Sequence, residues 1–127
     1  MDKNYRTLIA DDSRAMRLAL ELCLKGSEFD VVGQASNGLE AIDQVDELQP
    51  DIVLMDIAMP GVSGIEALKQ IKEKRSDVIV FMISSLATKK MKYDAFKLGA
   101  KNFLQKPIVK EEILDVLRSS LSKDSAS

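Results

Sequence analysis

The sequence predicts an α/β protein with a doubly wound, five-stranded parallel sheet of order 2-1-3-4-5 and five helices. Five short apolar runs alternate strictly with five segments whose apolar residues recur every three or four positions. The connections are short, and no internal repeat or low-complexity stretch interrupts the alternation. Right-handed crossovers between such strands place helices on both faces of a parallel sheet.

The first two strand–helix units fill the N-terminal part of the chain. Strand 1 is predicted over Tyr5–Ala10, and the aspartate or the serine that follows it can cap helix 1, which ends at Lys25-Gly26. Strand 2 is predicted over residues 30–35, with the glycine inside it as a weak position. The sequence Asn37-Gly38-Leu39-Glu40 is similar to a capping box and starts helix 2, which runs to about residue 48.

The remaining elements follow the same alternation. Strand 3 ends on a carboxylate and is followed by a Pro-Gly loop. A second capping box starts helix 3 at Ser63. Strand 4 is the most apolar run, and its apolar character predicts a central place in the sheet. Strand 5 stops at Lys106-Pro107, and helix 5 starts at Lys110. The predicted ranges are 51–56 for strand 3, 77–83 for strand 4, 88–98 for helix 4 and 102–105 for strand 5. One domain is predicted over residues 1–121, followed by a disordered polar tail over residues 122–127.

The composition excludes several classes of function. The 18 basic and 20 acidic residues give a net charge of −2, which argues against non-specific nucleic-acid binding. The chain has no histidine, so imidazole bases, Ser-His triads and histidine-ligated metals are excluded. Its single cysteine, Cys23, lies in an apolar series and is expected to be buried. No signal peptide or membrane-length apolar run is present, so we expect a cytoplasmic protein without a membrane segment.

Polar side chains follow four of the five predicted strands. In a doubly wound sheet the ligand site lies at the carboxyl ends of the strands, beside the switch point between strands 1 and 3. Each of these residues taken alone has an ordinary explanation as a helix cap or a solvated lysine, except the acid that closes apolar strand 3. The residues expected to meet there are Asp11, Asp12, Asp56, Ser84, Ser85 and Lys106.

Three carboxylates at one sheet edge repel each other more strongly than one lysine can offset. A hard divalent cation relieves this repulsion, and a site of few carboxylates without histidine or thiolate favours Mg²⁺. Beside such an ion and Lys106, Asp56 could accept a phosphoryl group as an acyl phosphate. Ser84 and Lys106 would then contact the phosphoryl oxygens.

These motifs identify a family. The Asp-Asp pair, the Asp-x-x-Met-Pro-Gly run at Asp56, Ser84, and Gly99-Ala100 followed by Phe103 and Lys106-Pro107 cover nearly the whole chain. With them the chain resembles the receiver domain of two-component response regulators, above all the small stand-alone chemotaxis-type ones. The resemblance implies a flavodoxin-like fold and a signalling phosphoacceptor rather than an enzyme.

The resemblance also implies a role for each residue of the acidic site. Asp56 would receive the phosphoryl group from a phosphohistidine of a sensor histidine kinase. Asp12, Asp56 and the backbone carbonyl of Ala58 would ligate Mg²⁺ directly, and Asp11 would act largely through water. Lys106 would pair with a phosphoryl oxygen.

A switch and an output surface are implied as well. Ser84 would be the switch hydroxyl and Phe103 the switch aromatic, and the bond from Lys106 to Pro107 is expected to be cis. A downstream protein target would bind helix 4, strand 5 and helix 5, and the protein would be a monomer that can dimerise on phosphorylation. The residues offered on that surface are Lys89, Lys90, Met91, Tyr93, Lys97 and Phe103.

Four positions depart from the commonest pattern of the family. Ser84 replaces a threonine and keeps the hydroxyl, and Phe103 lacks the hydroxyl of a tyrosine, so it can act by packing alone. Ala58 and Leu86 flank the phosphoryl position, where neither side chain can orient an attacking water and Leu86 can shield the site. The apolar pair predicts slow self-dephosphorylation.

Three alternatives remain open. An aspartyl-phosphate phosphohydrolase of the haloacid dehalogenase type would carry Asp-x-Asp after strand 1, where this chain has Asp11-Asp12-Ser13. A flavodoxin-like flavin binder would carry a phosphate loop of hydroxyl and glycine residues there, since two carboxylates repel a phosphate. The third is a receiver fragment of a larger, for example DNA-binding, regulator.

Overall fold

The computed structural model describes residues 4–126, with side chains for residues 4–122. Its five strands are all parallel and lie in the order β2-β1-β3-β4-β5, which confirms the predicted architecture. The strands are β1 (Tyr5–Ala10), β2 (Phe29–Ala35), β3 (Ile52–Asp56), β4 (Ile79–Ser84) and β5 (Asn102–Gln105). The helices are α1 (Arg14–Leu24), α2 (Gly38–Leu48), α3 (Gly64–Lys74), α4 (Lys89–Lys97) and α5 (Lys110–Ala126).

The central strands β3 and β4 carry the core on both faces of the sheet. Val53 and Met55 pack with α2, α3 and α4 on one face, and Ile52 and Leu54 pack with α1 and α5 on the other. All five residues of β3 are buried, including the terminal Asp56. A strand covered on both faces is uniformly apolar, and that is why the carboxylate at its end stands out in the sequence.

Side-chain caps start the helices that surround the site. The Ser13 hydroxyl accepts a hydrogen bond from the backbone N–H of Met16, so Ser13 rather than Asp12 caps α1. The Asp12 carboxylate is therefore not used as a helix cap. The Asn37 amide oxygen accepts the N–H of Glu40 at the start of α2. Ser63 and Thr88 cap α3 and α4 in the same way, and each cap satisfies a backbone donor that has no partner within its helix.

Some boundaries differ from the prediction. Strand β4 starts at Ile79 because the Val78 N–H turns back to the Arg75 carbonyl, and it extends to Ser84. Helix α5 continues past Leu121 to Ala126, where a disordered tail was expected, because its last residues include no glycine or proline to stop an established helix. Ser127 lies outside the described residues, and the domain boundary itself stays a prediction. Cys23 is partly rather than fully buried.

The weak position in strand 2 is visible as a break in register. The pairing of β1 with β2 shifts between Thr7 and Leu8, so that Leu8 lies opposite Gly33 and Val32 has no partner in the ladder. Such a bulge bends the strand locally.

Within residues 4–126, none of the helices combines the length and the apolar character needed to cross a bilayer.

Candidate functional site

Sheet topology brings the predicted site residues to one edge of the sheet. Strands β1 and β3 are parallel neighbours, with Ala10 opposite Met55, so the next residue of each strand, Asp11 and Asp56, lies at the same edge. Ser84 ends β4, and Lys106 directly follows β5. The Lys106 backbone N–H donates to the Ser84 carbonyl at 3.0 Å and ties the ends of β4 and β5 together.

Three carboxylates form a cluster at this edge. One oxygen each of Asp11, Asp12 and Asp56 lies within 4.8 Å of the others. Asp11 is fully buried and Asp56 is 4 % exposed, whereas Asp12 is exposed. The cluster is therefore closed toward the core and open to solvent on the side of Asp12.

Lys106 bridges the two buried carboxylates. Its ammonium nitrogen lies 3.2 Å from Asp11 Oδ2 and 3.6 Å from Asp56 Oδ2, and its side chain is 19 % exposed. The Ser13 N–H donates to Asp11 Oδ1 at 2.9 Å. Although Lys106 is close enough to Asp11 Oδ2 for an ion pair, this buried oxygen accepts no hydrogen bond from the described residues. One cation shared by two acids leaves the cluster with excess negative charge.

The protein environment raises the pKa of Asp56. Burial is the largest cause, since it disfavours the charged carboxylate, and the neighbouring charge of Asp11 acts in the same direction. Lys106 and the Ala58 N–H, which lies 3.4 Å from Asp56 Oδ1, oppose this effect. Asp12 adds a smaller increase to the pKa. Without a further cation, ionisation of this buried acid is thus disfavoured.

The donor set fits Mg²⁺. All three side chains offer hard oxygen ligands, and the hydrogen-bond-free Asp11 Oδ2 is a buried acceptor suited to a metal-bound water. The backbone turn after Asp56 brings the Ala58 N–H to 3.4 Å from Asp56 Oδ1, and the role of the Ala58 carbonyl as a metal ligand stays a prediction.

Ser84 and Phe103 line a small cavity next to the cluster. Ser84 is 8 % exposed, and its hydroxyl accepts the Leu86 N–H at 3.1 Å. The cavity of about 130 Å³ lies between Ser84, Lys92 and the Phe103 ring. That ring is half-buried and meets Phe96 edge-to-face at 5.3 Å, with the Lys92 ammonium 5.9 Å from its centre. Ser85 is exposed.

One expected feature of the site is not observed. The Leu86 side chain is 86 % exposed, and Ala58 is exposed as well. The Leu86 backbone is engaged by the Ser84 hydroxyl, which leaves the side chain pointing into solvent. Leu86 therefore does not shield the cluster in this structure.

The bond between Lys106 and Pro107 is cis, as expected.

Sequence reasoning missed one residue that contacts the acidic loop. The Arg17 guanidinium donates to the Asp11 carbonyl at 2.7 Å and to the Gln34 side chain at 3.1 Å. Arg17 thereby fixes the loop after β1 from the side of α1 and β2. In the sequence nothing distinguishes this arginine from the exposed Arg14 on the same helix.

The fold and the acidic site define a class of protein. The family model of the response regulator receiver domain matches residues 7–118, and the chain belongs to this family of two-component signalling proteins. Receiver domains bind Mg²⁺ at an acidic pocket, and this chain carries a cluster of three acids, Asp11, Asp12 and Asp56, that could hold a metal ion.

Within the family, the chain is similar to chemotaxis proteins. It is 43 % identical to the chemotaxis protein CheY of Listeria monocytogenes, over 91 % of this chain and 97 % of the relative. It is 37 % identical to CheY of Bacillus subtilis, over 93 % of this chain and 98 % of the relative. The fold matches CheY in the Borrelia burgdorferi complex of CheX, CheY, BeF₃⁻ and Mg²⁺ with a TM-score of 0.89 and 30 % identity, covering 94 % of this chain and 90 % of that one.

Proposed function

We propose that this chain is a phosphoacceptor response regulator that takes a phosphoryl group from a phosphohistidine of a sensor histidine kinase onto Asp56, with Mg²⁺ as cofactor. The observation that carries the proposal is the placement of Asp56. Its buried carboxylate lies at the open sheet edge, within reach of Lys106 and beside two further acids. A structural acid would not need two acidic neighbours whose charges oppose its ionisation.

In the transfer step, an Asp56 carboxylate oxygen attacks the phosphorus atom while the phosphorus–nitrogen bond to the donor imidazole breaks. The oxygen supplies the electron pair of the new bond, and the imidazole leaves with the pair of the old one. Asp12, Asp56 and the Ala58 carbonyl would hold Mg²⁺, with Asp11 acting through water. The ion supplies positive charge that the phosphoryl oxygens need in the transition state. Lys106, which now bridges two carboxylates, pairs with a phosphoryl oxygen.

The switch would work through Ser84 and Phe103. The Ser84 hydroxyl gives up its contact with the Leu86 N–H and donates to the phosphoryl group. This movement leaves room in the adjoining cavity, which the Phe103 ring enters by packing alone. Because the ring also contacts Phe96 and Lys92, its movement is transmitted to α4.

The output surface would be α4, β5 and α5, where a downstream protein binds. Helix α4 presents exposed aromatic and basic side chains, with Tyr93 62 % exposed and the Lys97 ammonium 5.4 Å from its ring. Lys90 pairs with Asp94 one turn along the helix at 2.9 Å. We expect a cytoplasmic monomer that acts through a protein target rather than through direct nucleic-acid binding.

Phosphate loss is expected to be slow. Neither Ala58 nor Leu86 carries a group that can hold an attacking water beside the phosphoryl group. With Leu86 in solvent, the reason is the missing hydrogen-bonding group and not a covering side chain.

Labelling with a small phosphoramidate donor tests the proposal. The wild-type protein is expected to take up one phosphoryl group only when Mg²⁺ is present, and Asp56→Asn is expected to take up none. Asp43→Asn, which removes an exposed acid on α2, is the matched control and should label like the wild type. Uptake by Asp56→Asn, or uptake that survives removal of Mg²⁺ by a chelator, would contradict the proposal.

A further inference from the structure

The loop that joins Asp56 to α3, residues 57–63, is held at its ends by close backbone contacts. The Ile57 N–H donates to the Ile83 carbonyl of β4 at 3.0 Å. The Ile57 carbonyl accepts the Gly64 N–H at 2.9 Å. The peptide directly after the phosphoacceptor is therefore fixed to β4 on one side and to the first residue of α3 on the other.

Gly64 allows α3 to start directly against the Asp56 backbone. A Cβ at this position would lie 2.0 Å from the Asp56 carbonyl oxygen and 2.8 Å from Ile57 Cα. Real Cβ contacts are essentially never shorter than 3.0 Å, so a side chain here would have to displace rigid backbone and not a flexible side-chain end. The missing side chain is thus a condition for the observed position of Asp56.

Gly38 makes the equivalent contact at the other end of the loop. A Cβ there would lie 2.3 Å from the Val62 carbonyl oxygen and 3.0 Å from the Val62 carbonyl carbon. Gly38 is the first residue of α2, so the starts of two helices meet the backbone of one loop. Both glycines are buried.

We propose that Gly38 and Gly64 are positioning residues of the phosphoacceptor site, which clamp the 57–63 loop so that the Asp56 carboxylate and the Ala58 carbonyl face Asp12 at metal-binding distance. This inference rests on the proposed function, because it assigns the two glycines to the Mg²⁺ site. Neither residue touches the metal or the phosphoryl group. They act through the backbone that carries two of the ligands.

The size of the displacement makes the inference testable. A methyl group at position 64 would shift the Asp56–Ile57 backbone by about 1 Å, whereas Mg²⁺ requires near-ideal octahedral geometry at about 2.0–2.1 Å. Changes that disturb the support of metal ligands typically weaken metal affinity by about 10–100-fold. We expect Gly64→Ala to fall in this range and Gly38→Ala, with the smaller overlap, to weaken Mg²⁺ binding by about tenfold.

Calorimetric titration of the purified variants with Mg²⁺ tests the clamp, with thermal unfolding measured in parallel. Gly33→Ala is the matched control, since its Cβ would crowd the ends of the Leu48 and Gln44 side chains away from the loop. It should lose stability and keep the wild-type Mg²⁺ affinity to within about twofold, because none of the ligands moves. If Gly64→Ala does not fold, the Mg²⁺ affinity of Gly38→Ala alone tests the clamp, because the Cβ at position 38 contacts the loop and not the Asp56 backbone.

The outcomes separate the clamp from the function on which it rests. Phosphoryl uptake at saturating Mg²⁺, measured for the same variants, should also fall in Gly64→Ala, since the nucleophile itself is displaced. Mg²⁺ affinities of the Gly38 and Gly64 variants equal to that of Gly33→Ala would overturn the clamp while wild-type labelling of Asp56 stands. A wild-type protein that neither binds Mg²⁺ nor labels would instead overturn the proposed function.

Discussion

At the scale of single residues, Asp56 combines properties that a structural acid avoids. It is buried, it shares a lysine with a second buried acid, and its pKa is raised by that burial and by that neighbour. Charge that is unfavourable in the resting protein becomes favourable when a cation and a phosphoryl group arrive. The unfavourable charge therefore lies at the position where the proposed phosphoryl transfer takes place.

Metal-free Asp56→Asn should be more stable than the wild type at neutral pH. Because the folded-state pKa of Asp56 is raised above its ordinary value of 3.8, the ionised acid favours the unfolded chain at high pH. Removing its charge should raise the free energy of unfolding by about 1 kcal/mol or more. The advantage should shrink as the pH falls through the raised pKa toward 3.8, because the wild-type acid becomes neutral.

Urea unfolding in the presence of a chelator at several pH values measures this effect. Asp43→Asn, whose acid is exposed, should show little change at any of them. A destabilised Asp56→Asn at neutral pH would mean that Asp56 is a structural partner of Lys106 and not a strained functional acid.

Polar groups at the two apolar positions beside the site should speed dephosphorylation. Ala58→Asn and Leu86→Glu each offer an atom that can orient a water, and a rate increase of at least about tenfold is expected for the pair. The decay of the phosphorylated protein, followed by phosphate release, measures the rate. Leu86→Met, which adds no hydrogen-bonding group, is the control, and equal decay in all variants would refute the explanation.

At the scale of elements, the site exists because parallel strands end at one edge. The sequence sufficed to predict Asp11, Asp56, Ser84 and Lys106 there, since each directly follows or ends an apolar run and strand order is limited by crossover rules. It did not reveal Arg17 or the two clamping glycines. Their roles depend on the close approach of α1, α2 and α3 to particular loops, which no periodicity encodes.

Ser84→Ala should separate the site from the output surface. The variant keeps the three acids and Lys106, so Mg²⁺ binding and labelling of Asp56 should remain close to wild type. It lacks the hydroxyl that we propose links the phosphoryl group to the cavity lined by Ser84 and Phe103. Beryllofluoride with Mg²⁺ should therefore shift the NMR signals of Phe103 and Phe96 in the wild type but not in Ser84→Ala.

Ser85→Ala, which changes the exposed neighbour of Ser84, is the control for this experiment and should respond like the wild type. Wild-type shifts at Phe103 in Ser84→Ala would show that the hydroxyl does not connect the two regions.

At the scale of the whole molecule, metal binding should stabilise the fold. The cluster joins the ends of β1 and β3, so an ion bound there adds a link between central strands that the unfolded chain lacks. At about 100 times its dissociation constant, such a ligand raises the free energy of unfolding by about 2.7 kcal/mol. Thermal unfolding with and without Mg²⁺ should show this for the wild type and a much smaller effect for Asp12→Asn.

The fold was predictable at this scale, whereas two details were not. Strict alternation of strands and helices left one reasonable architecture, and the observed strand order and the fold of known receiver domains agree with it. The solvent-facing Leu86 was unforeseen because backbone hydrogen bonding to Ser84 sets its direction. The length of α5 was unforeseen because small polar residues are compatible with both helix and coil.

Chemical mapping of the phosphorylated residue is the most direct test of whether Asp56 is the phosphoacceptor. Borohydride reduces an aspartyl phosphate to homoserine, and mass spectrometry of the digested protein then locates the changed residue. After phosphorylation by a histidine kinase in the presence of Mg²⁺, we expect homoserine at position 56 alone. Homoserine at position 11 or 12, or a borohydride-resistant phosphate on Ser84 or Ser85, would contradict it.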